Sequence, residues 1–218
     1  MTMDRTSAEY ILKQSLGNPE AKFREGQWEA IDALVNQKQK LMVVQRTGWG
    51  KSSVYFISTR ILRDSGAGPT LIVSPLLALM RNQIDAADKL EIKAETINSS
   101  NQDEWDEIKE KIISDEIDAL LISPERFSNE NFIEEFLQPI SGRIGLFVVD
   151  EAHCISDWGH DFRPDYRRLV NILNQLPPNM PLLATTATAN DRVLEDVENQ
   201  LGDIKTRKGR LMRESLRL

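Results

Sequence analysis

The sequence has little cysteine and no long apolar run. Cys154 is the single cysteine among 218 residues, which excludes an internal disulfide and any cysteine-rich zinc module. One thiol is compatible with a reducing compartment. No segment approaches the ~18 apolar residues that a membrane-spanning helix requires, and residues 1–10 are charged where a secretory signal would be apolar. We therefore expect no secretory signal and no membrane partner.

A surplus of positive charge is also lacking. The chain has 27 lysines and arginines against 34 aspartates and glutamates, a net charge of −7. Proteins that bind nucleic acid over a broadly basic surface have an excess of lysine and arginine. A local basic groove is nevertheless enough to bind a single strand. The acidic run at 103–116 and the basic run at 205–217 are explained by solvated faces. Charge therefore neither predicts nor excludes a nucleic-acid partner.

Short apolar runs alternate with segments of helical periodicity. At this length one α/β domain, with or without a short appendage, can bury about 70% of the surface of its unfolded chain. Continuous apolarity is typical of strands covered on both faces, and the alternation indicates a parallel sheet built from crossover units. We therefore expect an α/β fold, a mostly parallel sheet with helices on both faces. The predicted strands are 41–44, 70–74, 94–97, 119–122, 144–149 and 182–186, and the predicted helices are 6–16, 28–35, 53–63, 76–90 and 103–114, the last with Trp105, Ile108, Ile112 and Ile113 facing inward.

A glycine-rich turn with a lysine and a serine separates the first predicted strand from the next helix. We call residues 45–52 (QRTGWGKS) the phosphate loop. Gly48 and Gly50 allow backbone N–H groups to turn toward phosphate oxygens, and the helix N-terminus adds partial positive charge. Lys51 would reach the β- and γ-phosphates, and the Ser52 hydroxyl would ligate Mg²⁺. The alternative is a glycine-rich turn that happens to contain a lysine.

Two carboxylates follow another predicted strand. The apolar run 144–149 leads into Asp150 and Glu151, which places both at the carboxyl edge of the sheet, where ligands of open α/β sheets bind. Asp150 would hold Mg²⁺, mostly through water, and Glu151 would deprotonate an attacking water as general base. An acidic strand-end turn is the alternative. The combination with Lys51 and Ser52 favours a shared nucleoside triphosphate site.

Residues 150–166 (DEAHCISDWGHDFRPDY) resemble the DEAH box and the aromatic-rich loop of RecQ-family DNA helicases. The resemblance covers about residues 23–201. Five further blocks resemble family motifs: 23–27 motif 0, 47–52 motif I, 74–80 motif Ia, 123–126 motif Ib and 186–189 motif III.

The resemblance implies a RecA-like P-loop NTPase domain at 23–202, preceded by a helical segment at 1–22 and followed by a linker at 203–218. It implies a superfamily 2 helicase that uses ATP and Mg²⁺ to translocate 3′–5′ on single-stranded or partly duplex DNA and to unwind it. It further implies a monomer without zinc in this chain, roles in DNA repair and recombination, and a cytoplasmic location in bacteria or a nuclear one in eukaryotes.

The resemblance also assigns roles to individual residues. Trp49 either covers the nucleotide or packs in the core, Ser74 and Ser123 either touch DNA or cap helices, and Tyr166 is expected in the core. Residues that would bind the nucleotide are Arg24 and Gln27, at the adenine, and Thr47, Gly48, Trp49, Gly50, Lys51 and Ser52. The coupling of hydrolysis to DNA would involve His153, Thr186 and Thr188. Residues that would bind DNA are Ser74, Arg126, Trp158, His160, Phe162 and Arg163.

Three alternatives remain open from the sequence. A metal site at His153, Cys154 and His160 has a spacing that fits no zinc pattern. An RNA-remodelling DEAH- or DEAD-type ATPase would share most of the motifs. A nucleotide-gated nucleic-acid-binding module without helicase activity is the third.

The chain is short for a complete helicase of this type. Such enzymes close ATP between two RecA-like domains, the second of which supplies an arginine finger. Residues 189–218 are too few to form one. We therefore expect the first motor domain alone, with its partner domain absent, weak Mg-ATP binding, poor hydrolysis and no unwinding.

Overall fold

The computed structural model describes residues 2–75, 77–156, 158, 162–173, 176–177, 179–187 and 190–209, without the side chains of 77–79 and 81. Seven strands in this part of the chain form one sheet in which every pairing is parallel. The strands are β1 (Lys40–Val44), β2 (Thr70–Val73), β3 (Ala94–Ile97), β4 (Ala119–Ile122), β5 (Leu146–Val149), β6 (Leu182–Thr186) and β7 (Lys205–Lys208). Their order across the sheet is β3-β4-β2-β5-β6-β1-β7.

Helices cover both faces of the sheet, as the alternating pattern predicts. The helices are α1 (Arg5–Leu16), α2 (Gln27–Val35), α3 (Lys51–Asp64), α4 (Leu77–Asp88), α5 (Trp105–Ile113), α6 (Gln138–Ser141), α7 (Pro164–Leu173) and α8 (Asp191–Leu201). Short 3₁₀ turns lie at Gln102–Glu104, Pro124–Ser128 and Ala152–Ile155, and a π-helical turn at Phe132–Leu137 leads into α6. None of the helices in these ranges combines the length and apolar character that crossing a bilayer requires.

In strands β1 to β6, alternate residues belong to two separate hydrophobic cores. Along β1, Leu41 and Val43 pack with α1 to α4, whereas Met42 and Val44 pack with α5 to α8. This period of two is the pleat of a strand buried on both sides, and it explains why the strands have continuous apolar sequences. The predicted α/β class and parallel sheet are confirmed.

Two details differ from the sequence-based expectation. Ile113 is 40% exposed rather than inward-facing, because neighbouring residues of a helix point about 100° apart and Ile112 already occupies the buried side. Residues 205–208 lie in the segment predicted as linker but form the edge strand β7, which pairs with β1 from Leu41↔Lys205 to Val44↔Lys208. The sheet therefore continues past the predicted domain boundary at residue 202.

The strand order brings three strand ends together at one edge. β6 lies between β1 and β5, so the chain leaves β1 and β5 about 10 Å apart, twice the spacing of paired strands. Thr185 and Thr186 of β6 fill the position between them. The phosphate loop after β1 and Asp150 after β5 thus lie on either side of the end of β6 at this edge.

Candidate functional site

The phosphate loop turns through two glycines with left-handed backbones. Gly48 has φ of 81° and Gly50, the N-cap of α3, has φ of 98°. A Cβ on Gly50 would also lie 2.6 Å from Gln27 Nε2, so both conformation and space require glycine there. No side chain caps the N-terminus of α3, and the Lys51 ammonium donates to the Gln45 carbonyl oxygen at 3.2 Å. The loop therefore presents a helix N-terminus and a lysine at the same point.

Arg24 and Gln27 hold the phosphate loop from behind. The Gln27 side chain is buried; its Oε1 accepts from the Arg24 N–H at 2.9 Å and its Nε2 donates to the Trp49 carbonyl oxygen at 2.8 Å. The Arg24 guanidinium donates to the Gly48 carbonyl oxygen. The structure thus places both predicted adenine-binding residues against the loop backbone, and their contact with a base stays a prediction.

Trp49 packs in the core beneath the loop. Its ring is 6% exposed and its indole N–H donates to the Glu25 carbonyl oxygen at 3.1 Å. Of the two alternatives for this residue, the structure supports packing. The neighbouring Gln45 side chain is buried against Gly209, where a Cβ would overlap its amide group.

The buried carboxylate of Asp150 accepts three hydrogen bonds. Its Oδ1 accepts from Thr185 Oγ1 at 2.6 Å and from the Glu151 N–H at 3.1 Å, and its Oδ2 accepts from Gln83 Nε2 at 3.3 Å. Burial raises the pKa of Asp150, while the Thr185 hydrogen bond and the charge of Lys51 act in the opposite sense. These donors fix the direction in which the carboxylate faces.

Glu151 has a left-handed backbone, with φ of 52°. This conformation is costly for a residue other than glycine and is often found at functional sites. A hydrogen bond with His153, whose Nδ1 lies 3.3 Å from Glu151 Oε2, lowers the pKa of Glu151, and the charge of Lys51 lowers it further. Glu151 is therefore ionised at neutral pH, as a general base must be.

His153 connects the carboxylate pair to β6. Its Nδ1 lies 3.0 Å from Thr186 Oγ1 as well as near Glu151. Hydrogen bonding with Cys154 and then with Glu151 raises the pKa of His153 to about 10. The predicted coupling partners His153 and Thr186 are thus in contact, whereas Thr188 lies outside the described residues. Cys154 is buried in the core, as expected for a small apolar side chain.

The phosphate loop and the Asp150–Glu151 pair face the same cavity, of about 290 Å³. The two distant segments therefore lie together, as expected from the sequence, and their binding of one nucleotide stays a prediction. The cavity is lined by Thr47, Gly48, Gly50, Lys51, Ser52, Asn82, Gln83, Ala86, Asp150 and Glu151.

The donors around this cavity suit Mg²⁺. One hydroxyl, Ser52, and one carboxylate, Asp150, with open space for water and phosphate oxygens, match an ion that keeps several waters and takes few protein ligands. Among the described residues no cluster of three histidine, cysteine, aspartate or glutamate side chains is arranged to hold a metal. His160 lies outside those residues, so the alternative site at His153, Cys154 and His160 is not tested.

Sequence reasoning missed three side chains of the site. Gln83 and Thr185 hydrogen-bond to Asp150, and the buried Tyr55 hydroxyl accepts from Gln83 Nε2 at 2.9 Å. A signal for Gln83 was present, because it shares the buried face of α4 with Met80 and Ala87 and is a polar residue in an apolar stripe.

Three predicted DNA contacts lie at the ends of β2 and β4. Ser74 and Ser123 are buried, and the Ser74 N–H donates to the Ile122 carbonyl oxygen at 3.2 Å, so the two strand ends are adjacent. Neither hydroxyl, nor Arg126 Nε, has a hydrogen-bond partner within the described ranges. Ser123 starts a 3₁₀ turn without a side-chain capping bond, so the capping alternative is wrong for Ser123.

The aromatic segment divides between solvent and core. Trp158 is 58% exposed, and the Arg192 guanidinium lies 3.3 Å from its ring centroid. Phe162 and Arg163 are half-buried, and His160 lies outside the described residues. Tyr166 is fully buried, as expected, and its hydroxyl donates to the Asp150 carbonyl oxygen at 3.0 Å.

Comparison with known proteins finds similarity to helicases. A sequence model of the DEAD/DEAH box helicase family matches residues 24–197. The chain is similar to the ATP-dependent DNA helicase RecQ of Haemophilus influenzae (36% identity, 91% of this chain, 30% of the relative) and of Bacillus subtilis (39%, 83% and 29%). It is also similar to the ATP-dependent helicase SGS1 of Saccharomyces cerevisiae (34%, 82% and 12%).

Among solved structures, the Hef helicase domain of Pyrococcus furiosus has the same fold, with a TM-score of 0.63 over 85% of this chain and 38% of that one. At 18% identity this likeness shows the fold alone. The chain spans less than a third of the length of the curated relatives it matches.

Proposed function

Because the chain belongs to the DEAD/DEAH box helicase family, in its RecQ branch, we propose that it binds Mg-ATP and single-stranded DNA and hydrolyses the ATP. The observation that carries this proposal is the single cavity shared by the phosphate loop and the Asp150–Glu151 pair. Joined to a second RecA-like domain, it would act in 3′–5′ translocation and unwinding.

The phosphate loop would bind the triphosphate. Lys51 would exchange its hydrogen bond with the Gln45 carbonyl for the β- and γ-phosphates, and the uncapped N–H groups of α3 would donate to phosphate oxygens. Ser52 and Asp150 would hold Mg²⁺, which when bound neutralises charge developing on the phosphates. Because Asp150 is fixed by three donors, it needs little reorganisation for this role.

Glu151 would take the proton of the attacking water. Its lowered pKa keeps the carboxylate ionised, and the water oxygen would then attack the γ-phosphorus while ADP leaves. The contact of His153 with both Glu151 and Thr186 gives a direct path from this base to β6. We propose that this path carries the coupling to DNA that the family resemblance implies.

Single-stranded DNA would lie across the ends of β2 and β4. Arg126 is half-buried, and its guanidinium would donate to a backbone phosphate. The Ser74 hydroxyl is enclosed by protein, so it would contact DNA only after this strand end opens. The exposed face of Trp158 offers a platform for an unstacked base, a contact worth about 1–3 kcal/mol. Arg192, stacked on the same ring, adds positive charge beside it.

The test is a binding measurement with this chain and its Lys51→Ala variant. We expect a fluorescent ATP analogue with Mg²⁺ to bind the parent chain and to bind the variant at least about tenfold more weakly, since a charged hydrogen-bond donor is lost. Labelled single-stranded DNA should bind more tightly than RNA of the same sequence.

Two results would contradict the proposal. Equal analogue binding by parent and variant would exclude the phosphate loop as the triphosphate site. A clear preference for RNA would instead support an RNA-remodelling ATPase.

A further inference from the structure

Behind the cavity, buried polar side chains connect the predicted Mg²⁺ ligand Asp150 to α3. Asp150 Oδ2 accepts from Gln83 Nε2, which also donates to the Tyr55 hydroxyl at 2.9 Å. Tyr55 lies one turn after Ser52 in α3. This polar chain thus runs from Asp150, which follows β5, through Gln83 of α4 to Tyr55 of α3.

The donor directions in this chain are set by Gln83. An amide nitrogen has only donors, so the Tyr55 oxygen and the Asp150 carboxylate both accept from Gln83 Nε2. Rotating the Gln83 amide by 180° would put its oxygen against the Asp150 carboxylate. This contact is repulsive because both oxygens are hydrogen-bond acceptors.

One atom of this buried side chain remains without a partner. Gln83 is 7% exposed, it lines the cavity, and its Oε1 has no hydrogen-bond partner in the part of the chain that the structure describes. A buried amide oxygen left without a hydrogen-bond partner is unfavourable. Its position beside Asp150 suits a donor that arrives with a ligand, and the waters of a hydrated Mg²⁺ are such donors.

We propose that Gln83 is a positioning residue of the nucleotide site, whose amide nitrogen orients Asp150 and whose amide oxygen accepts a hydrogen bond from a Mg²⁺-bound water. This inference rests on the proposed Mg-ATP function. Tyr55 supports the same arrangement by accepting a hydrogen bond from the Gln83 amide nitrogen. The competing explanation is that Gln83 only fills space between α4 and β5.

The experiment measures Mg²⁺ dependence rather than turnover. A fluorescent ATP analogue at fixed concentration is mixed with the chain, Mg²⁺ is titrated, and the half-saturating Mg²⁺ concentration is compared with analogue binding in EDTA. Gln83→Met keeps an unbranched side chain of similar size without the amide. We expect it to raise the half-saturating Mg²⁺ concentration about tenfold, the scale of losses at residues that orient metal ligands, with binding in EDTA unchanged.

Gln200→Met is the matched control. Gln200 also donates to a carboxylate, Asp196 Oδ1 at 3.1 Å, but it lies on α8 away from the cavity. We expect a parent-like Mg²⁺ midpoint. Tyr55→Phe is a second test that keeps the buried ring and removes only the hydroxyl. It should raise the midpoint about threefold, since one hydrogen bond is lost.

The outcomes separate this inference from the function on which it rests. Parent-like midpoints for both Gln83→Met and Tyr55→Phe would overturn the positioning role and leave the Mg-ATP proposal intact. Equal losses of binding with Mg²⁺ and in EDTA would assign Gln83 to packing alone, which also overturns it. A parent chain that binds no analogue would overturn the nucleotide proposal itself.

Discussion

At the residue scale, Glu151 combines a strained backbone with an ionised side chain. Its φ of 52° turns the chain directly after β5, so Asp150 faces the sheet edge while Glu151 faces His153. A β-branched or bulky residue would be poorly accommodated in this backbone. Position and charge are thus both set by local structure.

We expect Glu151→Gln to lower single-turnover ATP hydrolysis by about 10²–10⁴-fold, because an amide cannot accept the proton of the attacking water. Affinity for Mg-ATP should stay within about twofold of the parent, since the isosteric change spares Lys51, Ser52 and Asp150. Glu195→Gln, on the exposed side of α8, is the control. Retained turnover in Glu151→Gln would remove Glu151 as the base.

At the element scale, strands with continuous apolar sequences could be predicted, whereas the polar edge strand β7 could not. β4 and β6 occupy the predicted ranges, because burial on both faces makes each a continuous buried run. β7 has the sequence Lys-Thr-Arg-Lys and is held at the sheet edge by backbone pairing with β1. Backbone pairing leaves no pattern in side-chain character, so this strand could not be predicted.

The candidate site could likewise be predicted only in part. Lys51, Ser52, Asp150 and Glu151 lie at strand or helix ends that follow from motif spacing, and the structure brings them to one cavity. Gln83 lies in mid-helix, and its contact with Asp150 depends on how α4 packs on the sheet. A contact set by tertiary packing cannot be derived from spacing alone.

Arg63, near the C-terminal end of α3, binds two carboxylates just before β4, at the sheet edge opposite the candidate site. Its guanidinium contacts Asp118 at 2.7 Å and Asp115 at 2.8 Å and is 13% exposed. We expect Arg63→Met to lower the free energy of unfolding by about 1.5–3 kcal/mol, because hydrogen bonds to charged groups are lost in a half-buried place. Urea denaturation measures the change.

Arg60→Met is the matched control one turn earlier. Arg60 pairs with Asp64 and Glu91, whose side chains are 54% and 86% exposed. Exposed pairs contribute about 0–1 kcal/mol, so this variant should lose less stability than Arg63→Met. Equal losses for the two variants would contradict the role given to Arg63.

At the scale of the whole molecule, nucleotide binding should appear as stability. A ligand at a hundred times its Kd stabilises the folded state by about 2.7 kcal/mol, and a chain of this size gains about 2–4 °C per kcal/mol. We therefore expect Mg-ATP at that excess to raise Tm by about 5–10 °C.

The Lys51→Ala variant should keep the Tm of the unliganded parent, since among the described residues Lys51 donates only to the Gln45 carbonyl. It should show little rise in Tm with Mg-ATP. Mg²⁺ without nucleotide serves as the blank. A full rise in the variant would place the stabilising site elsewhere.

The strand order also has a consequence during synthesis. Of the seven described strands β1 is synthesised first, whereas its two neighbours, β6 and β7, are synthesised last. A nascent chain that has reached β5 can pair β2 with β4 and β5, while β1 still lacks both partners. The phosphate loop, which follows β1, can therefore reach its final place in the sheet only after β6 and β7, at residues 182–208, have been synthesised.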